Sequence, residues 1–174
     1  MTPLLAFYLG SHPDHQGRML AEILRQDDAW LELTHDYIQW LFPLAEFSRV
    51  VPSAPILSRK DLMAFRSDPL LRGHMLVALD RMLRFYGLER RGTSVATAFN
   101  WNARRDNWFT EDTHNSLRIT RILKSLMLVG LEAEAKAFHE CLRELCATDA
   151  NCAVSTDSRA YWLHAVADGA ARAV

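Results

Sequence analysis

No apolar run in these 174 residues approaches the ~20 that a helix needs to cross a bilayer, so no integral membrane segment is expected. The opening residues, MTPLLAFYLG, lack a basic leader followed by a long apolar stretch and do not read as a secretory signal. Glycine and proline are scarce, at 7 and 6, which argues against disordered and fibrous architectures. Neither sign of charge dominates. With 20 Lys and Arg against 21 Asp and Glu, the net charge of −1 gives no global attraction to nucleic acid or to an anionic membrane. Only three cysteines occur, Cys141, Cys146 and Cys152, and their odd number and spacing suit neither a disulfide framework nor a zinc knuckle. They read as reduced thiols of an intracellular, cytoplasmic protein. At 49% hydrophobic, a chain of this length is expected to bury roughly two-thirds of its unfolded surface without a metal or disulfide.

Signatures of common enzymes are also missing. There is no Gly-rich phosphate loop and no GxSxG nucleophile elbow. His12 and His15 stand close together in HPDH, but no third ligand lies at a diagnostic spacing. His35, His114 and nearby carboxylates would support acid–base chemistry only if the fold made them converge. No catalytic residue, metal or cofactor is assigned, and the chain reads as a non-enzyme.

What is present is helical punctuation. Asp14 is placed to cap a helix to about Leu24, and a second runs from about Asp28 to Leu41 before Pro43 stops it. Residues 43 to 57, with three prolines, read as an extended crossing. Ser58 with Asp61 forms a capping box for a short helix to about Arg66, and Asp68–Pro69 opens a long one that Gly87 ends. Residues 89 to 112 carry no period. Helices from about Thr113 to Val129, from Glu132 to about Cys146, and from Thr156 or Asp157 onward complete the series. The fold class is all-α: one domain over residues 1–174, a bundle of about six to seven helices with one long aromatic and basic loop.

The helix from 113 to 129 carries the most chemistry. At 100° per residue, His114, Arg118, Arg121 and Ser125 fall within about 60° of one another, and most of the remaining surface is apolar. Buried arginines need partners, because an unpaired buried charge is very costly. The helix from 28 to 41 offers Asp28, Glu32, Asp36 and Gln39 on one side, with His35 beside them. One reading is a structural Arg–carboxylate network between two core helices. The other is a polar pocket that receives a small peptide or anionic ligand through Glu32, His35, Asp36, Gln39, His114, Arg118 and Arg121. A separate possibility lies in FNWNARRDNWF, residues 99 to 109. There Trp101, Arg104, Arg105 and Trp108 mix rings with cations, as in surfaces that engage a protein or nucleic acid, while loop tryptophans also serve as anchors.

Five segments resemble a known family: FYLGxxPDxxGRxLxEIL (7–24), HDYIQWLFP (35–43), APIL (54–57), RMLxFYGL (81–88) and HNxLRITRILKSL (114–126). In this order they are similar to the conserved domain of the opioid growth factor receptor family. The resemblance spans residues 5–145, and residues 146–174 read as a C-terminal helical extension. It implies a receptor-like domain whose animal relatives bind the pentapeptide Met-enkephalin, associate with the nuclear envelope and nucleus, and restrain proliferation. Those relatives carry long tails and repeats, so the chain reads as a domain-only member. The expected function is a non-catalytic binding module for a small peptide or anionic ligand. A protein- or nucleic-acid-interaction module using the 99–109 loop is the alternative, with nucleic acid ranked below protein, and an uncharacterised enzyme is third.

Met-enkephalin, Tyr-Gly-Gly-Phe-Met, tests the receptor reading directly. A flexible pentapeptide loses much conformational entropy on binding, so tight affinity demands a preformed cleft. The sequence gives no sign of one, and the expected outcome is binding at roughly the millimolar level or none. A saturable micromolar isotherm in calorimetry would contradict this.

Overall fold

Helix starts are the best-marked features of the chain. The computed structural model describes residues 1–171, and the side chains of residues 1–167. Among the described residues it contains ten helices and one two-stranded sheet. They fall into two compact units, Met1–Arg81 and the part from Met82 onward.

The first unit begins with a helix not expected from the sequence, α1 (Pro3–Tyr8). Thr2 caps it, accepting from the Leu5 N–H at 3.3 Å, and Pro3 fits the first helical position. This short helix lies at the centre of the unit's core. Phe7 and Tyr8 are fully buried, the Tyr8 hydroxyl donates to the Leu41 carbonyl, and its ring meets Phe65 edge-on at 4.9 Å. Burial holds the Tyr8 phenol well above its ordinary pKa.

The helix expected from Asp14 is a turn instead. Asp14 Oδ1 accepts the N–H groups of Gln16 and Arg18, both at 2.9 Å, and Gly17 takes a φ of 81°. Only α2 (Leu20–Arg25) is helical, begun by the Glu22 side chain accepting from the Met19 N–H at 2.7 Å.

The single helix expected over residues 28 to 41 is also corrected, to α3 (Asp28–Leu33) and α4 (Ile38–Leu41). Thr34 is extended, and the buried Tyr37 hydroxyl donates to the Leu31 carbonyl at 3.0 Å, occupying an acceptor at the end of α3. As expected, α4 stops before Pro43.

Next comes α5 (Arg59–Ser67), with the expected capping box. Asp61, buried at 1% exposure, accepts from the Ser58 N–H, the Ser58 hydroxyl and the Thr2 hydroxyl, which ties α1 to α5. The long helix α6 (Pro69–Tyr86) follows, and Asp68 accepts from the Leu70 N–H at 2.8 Å at its start.

In the second unit the all-α expectation meets its exception. Strands β1 (Leu88–Arg91) and β2 (Ser94–Thr97) pair antiparallel, with Leu88 opposite Thr97 and Arg91 opposite Ser94. Gly92, the first of the two turn residues, has a φ of 60° and permits the tight reversal. Residues 101 to 107 are then α7 (Trp101–Arg104) and a single 3₁₀ turn. Most of the stretch expected to be a long loop is therefore ordered. Helices α8 (His114–Val129), α9 (Glu132–Thr148) and α10 (Thr156–Ala171) pack on one another, and β2 lies against α9. Gly130 ends α8 at a φ of 88°.

Gly87 joins α6 to β1 at a φ of 81°, and a Cβ there would stand 2.9 Å from the Trp101 Cα. Gly87→Ala therefore meets both a left-handed backbone and a clash, and should lose about 2–4 kcal/mol. Gly92→Ala meets open space and should lose about 1 kcal/mol. Urea unfolding of the two variants checks this, and equal losses would refute the packing role of Gly87.

Candidate functional site

In the first unit the break between α3 and α4 organises a polar cluster. The Arg18 guanidinium bridges two carboxylates: Nε lies 2.7 Å from Asp14 Oδ2, and Nη1 lies 3.0 Å from Asp36 Oδ1. Its carbon sits 5.5 Å from the centre of the Trp30 ring, a cation–π distance. On the other side of Asp36, His15 Nε2 stands 3.4 Å from Oδ2. The Trp40 indole donates to His15 Nδ1 at 3.0 Å, and the planes of the two rings lie within 6° of parallel. Because an indole N–H can only donate, Nδ1 is the accepting nitrogen, which puts the imidazole proton on Nε2, facing Asp36. Two carboxylates thus face one guanidinium and a neutral imidazole. The Asp14 side chain is fully buried, whereas Asp36 is 29% exposed and can accept further donors.

The sequence-selected residues of this unit differ in setting. Asp36 belongs to the cluster. His35 is exposed on the break, and Glu32 is half-buried on α3. Gln39 on α4 is only 5% exposed, and its side-chain oxygen has no hydrogen-bond partner among the described residues. An unmatched buried acceptor is uncommon and unfavourable. A cleft of about 310 Å³ adjoins Trp40, walled by Pro3, Pro55 and Ile56.

Sequence reasoning missed Asp14, His15 and Arg18 as a group. Gly17 was the available signal, since a glycine four residues into a supposed helix favours a turn.

The α8 residues lie in the second unit. His114 opens the helix and is half-buried, as is Arg121. Arg118 is 4% exposed and donates to Asn115 Oδ1 at 3.2 Å, while Asn115 in turn donates to the Asn107 carbonyl. Leu117, expected on the apolar side, is 71% exposed.

The residues selected in the 99–109 segment hold this unit together. Trp108 is fully buried and donates its indole N–H to the Tyr86 carbonyl at 2.8 Å, while its ring meets Tyr86, Trp101, Phe109 and Trp162. Arg104 donates to the Phe85 carbonyl at 2.8 Å and lies over the Phe85 ring, a favourable place for a cation near the end of α6. Arg105 pairs with Asp149 at 3.2 Å. Trp101 is half-buried, and Phe99 is 95% exposed.

The family model described as the opioid growth factor receptor (OGFr) conserved region matches residues 4–173. The chain belongs to the opioid growth factor receptor family. The match takes in α10 as well as the segments that carry the resemblance. The opioid growth factor receptor of Rattus norvegicus is 49% identical over 105 residues, covering 59% of this chain and 18% of the relative. That of Homo sapiens is 46% identical over 105 residues, 59% of this chain and 15% of its own length. The opioid growth factor receptor-like protein 1 of Rattus norvegicus is 37% identical over 135 residues, or 74% of this chain and 29% of the relative. The chain thus spans less than a third of the length of these family members. No solved structure matches it. Among the described residues, no helix of this family domain is long and apolar enough to cross a membrane.

Removing Arg18 would leave the buried Asp14 carboxylate without a counterion. Arg18→Ala should cost about 2–4 kcal/mol, and Arg18→Ala with Asp14→Ala should recover part of it. Asp36→Asn, at a partly exposed position, should cost about 1 kcal/mol or less. Denaturant titration of the three variants decides, and a loss for Arg18→Ala as small as that for Asp36→Asn would disprove the bridging role.

Proposed function

We propose that the chain is a non-catalytic binding module for a short peptide, and that Asp36 and Gln39 receive N–H donors of that ligand. The observation that carries this reading is the buried, unmatched side-chain oxygen of Gln39. An acceptor in that state gains a full hydrogen bond from an incoming donor at little further desolvation. The excess of carboxylates over cations around Arg18 supports a cationic group such as a peptide amino terminus. The cleft beside Trp40 is of a size that accepts an apolar side chain. The family name describes its members as receptors for an opioid growth factor, which agrees with a peptide ligand. The proposal keeps Glu32 and His35 as flanking contacts. Taken by itself, the second unit offers His114, Arg118 and Arg121 on α8 as candidates to contact an anionic ligand.

Titrating the chain with free-amino tetra- to hexapeptides of varied sequence, followed by tryptophan fluorescence, tests the proposal. Some of them should saturate below about 1 mM, the range in which specific contacts outweigh the ordering entropy. Amino-terminal acetylation, Asp36→Asn and Gln39→Leu should each weaken that binding by about tenfold, roughly one lost charged or buried hydrogen bond. Circular dichroism should show the variants folded. Equal binding of acetylated and free peptides, or no saturation by any peptide, would overturn the reading.

A further inference from the structure

The α9–α10 connection holds a thiol pair that neither the family relationship nor the proposed peptide site accounts for. Cys146 lies in the last turn of α9, which ends at Thr148. The chain then reverses about Asp149, whose carboxylate accepts from the Asn151 N–H at 2.9 Å and the Asn151 side-chain amide at 2.8 Å. Asp149 also pairs with Arg105 at 3.2 Å, and its backbone carbonyl accepts from the Cys152 N–H at 3.1 Å. These contacts return Cys152 over Cys146, with the two sulfurs 2.7 Å apart. Both residues are free thiols and half-buried, whereas Cys141, one turn earlier on α9, is buried.

We propose that Cys146 and Cys152 form a thiol–disulfide exchange site that takes a low-molecular-weight disulfide as its oxidant. The sulfurs lie within about 1 Å of bonding distance, so forming the bond asks little of the backbone. The turn residues that preorganise the pair are fixed by hydrogen bonds and by Arg105.

Burial and the neighbouring Cys152 hold the Cys146 thiol up at about 12, outweighing the opposite pull of Arg159. Cys146 is held in the last turn of α9, and Cys152, on the turn beyond it, opens the exchange. Its thiolate attacks one sulfur of R–S–S–R, forms a Cys152–S–S–R bond and releases R–S⁻. The Cys146 sulfur then attacks the Cys152 sulfur and displaces the second R–S⁻, and the departing thiolate takes up the Cys146 proton. Two protein thiols are oxidised by two electrons, and R–S–S–R is reduced to two R–SH. The product is a ring closed between Cys146 and Cys152. Cys146 also lines a groove of about 450 Å³ between α9 and α10, beside Arg159, Ala160 and Leu163, so oxidation alters the wall of that groove.

The probe is oxidised glutathione, added to the full chain under native conditions. The titratable thiols should fall from three to one. The intact mass should drop by two hydrogens, and peptide mapping should return a Cys146–Cys152 crosslink with Cys141 still free. In Cys146→Ser the exchange should stop midway, leaving one glutathione on Cys152. The wild-type thiol count should return to three on adding dithiothreitol. Three thiols persisting after oxidation, a crosslink that includes Cys141, or disulfide-linked dimers as the main product would overturn the proposal. None of these readouts involves a peptide ligand, so the thiol pair stands or falls independently of the peptide site.

Discussion

The hydrogen bond from the Tyr37 hydroxyl to the Leu31 carbonyl is the constraint on which the polar site depends. The side chains from Asp28 to Leu41 have the spacing of one continuous helix, and continuity would set Asp36 and Gln39 on the same polar stripe. With Tyr37 turned back onto the end of α3, its ring is fully buried and the chain runs extended through Thr34. Asp36 is thereby delivered to Arg18 and His15, and the short helix α4 brings the Trp40 indole to His15 from the other side. Two of the segments that mark the family, PDxxGR and HDYIQWLFP, therefore meet in one ion-pair cluster. Their residues divide the labour: Asp14 closes a turn, Arg18 bridges, Tyr37 breaks the helix, and Trp40 fixes the imidazole.

The second unit relies on a different economy, one of rings. Trp108 satisfies its indole on the last carbonyl of α6 and touches four other aromatic side chains. A stretch with no period is thereby ordered without long regular elements of its own. Large, stiff side chains suit this role because each buries much apolar area for few rotatable bonds. Arg104 and Arg105, just before it, complete the arrangement by pairing with the Phe85 carbonyl near the end of α6 and with the Asp149 carboxylate that follows α9.

Helices α6 and α8 were legible because their ends are fixed by local chemistry. Asp68–Pro69, Thr113, Gly87 and Gly130 all act where their types suggest, the apolar residues of α6 and α8 keep to one or more faces, and α9 is rich in the good helix formers Ala, Glu and Leu. The short elements were not legible, for reasons that also lie in particular residues. The strands LERR and SVAT are only four residues long, too short for an alternation to mark them, and only Gly92 hinted at the turn. The Thr2–Pro3 cap was a readable signal for α1 that its six-residue length obscured. At the site, Asp36 and Gln39 were chosen for sharing a face with other polar groups. What distinguishes them is the helix break, which rests on a contact between Tyr37 and a carbonyl that no pattern of side-chain types encodes. Asp14 was misread because an aspartate before an apolar stripe suits a cap and a turn equally well.

Thr2 illustrates how one side chain can limit the choice of cap. Its hydroxyl accepts from the Leu5 N–H to begin α1 and simultaneously donates to the Asp61 carboxylate that begins α5. Aspartate is elsewhere as good an N-cap as threonine, but here it would set carboxylate against buried carboxylate. Valine would match the shape and leave both helix starts short of a partner. A hydroxyl faces both ways from a single atom, so the second residue of this chain is constrained by two helix starts at once.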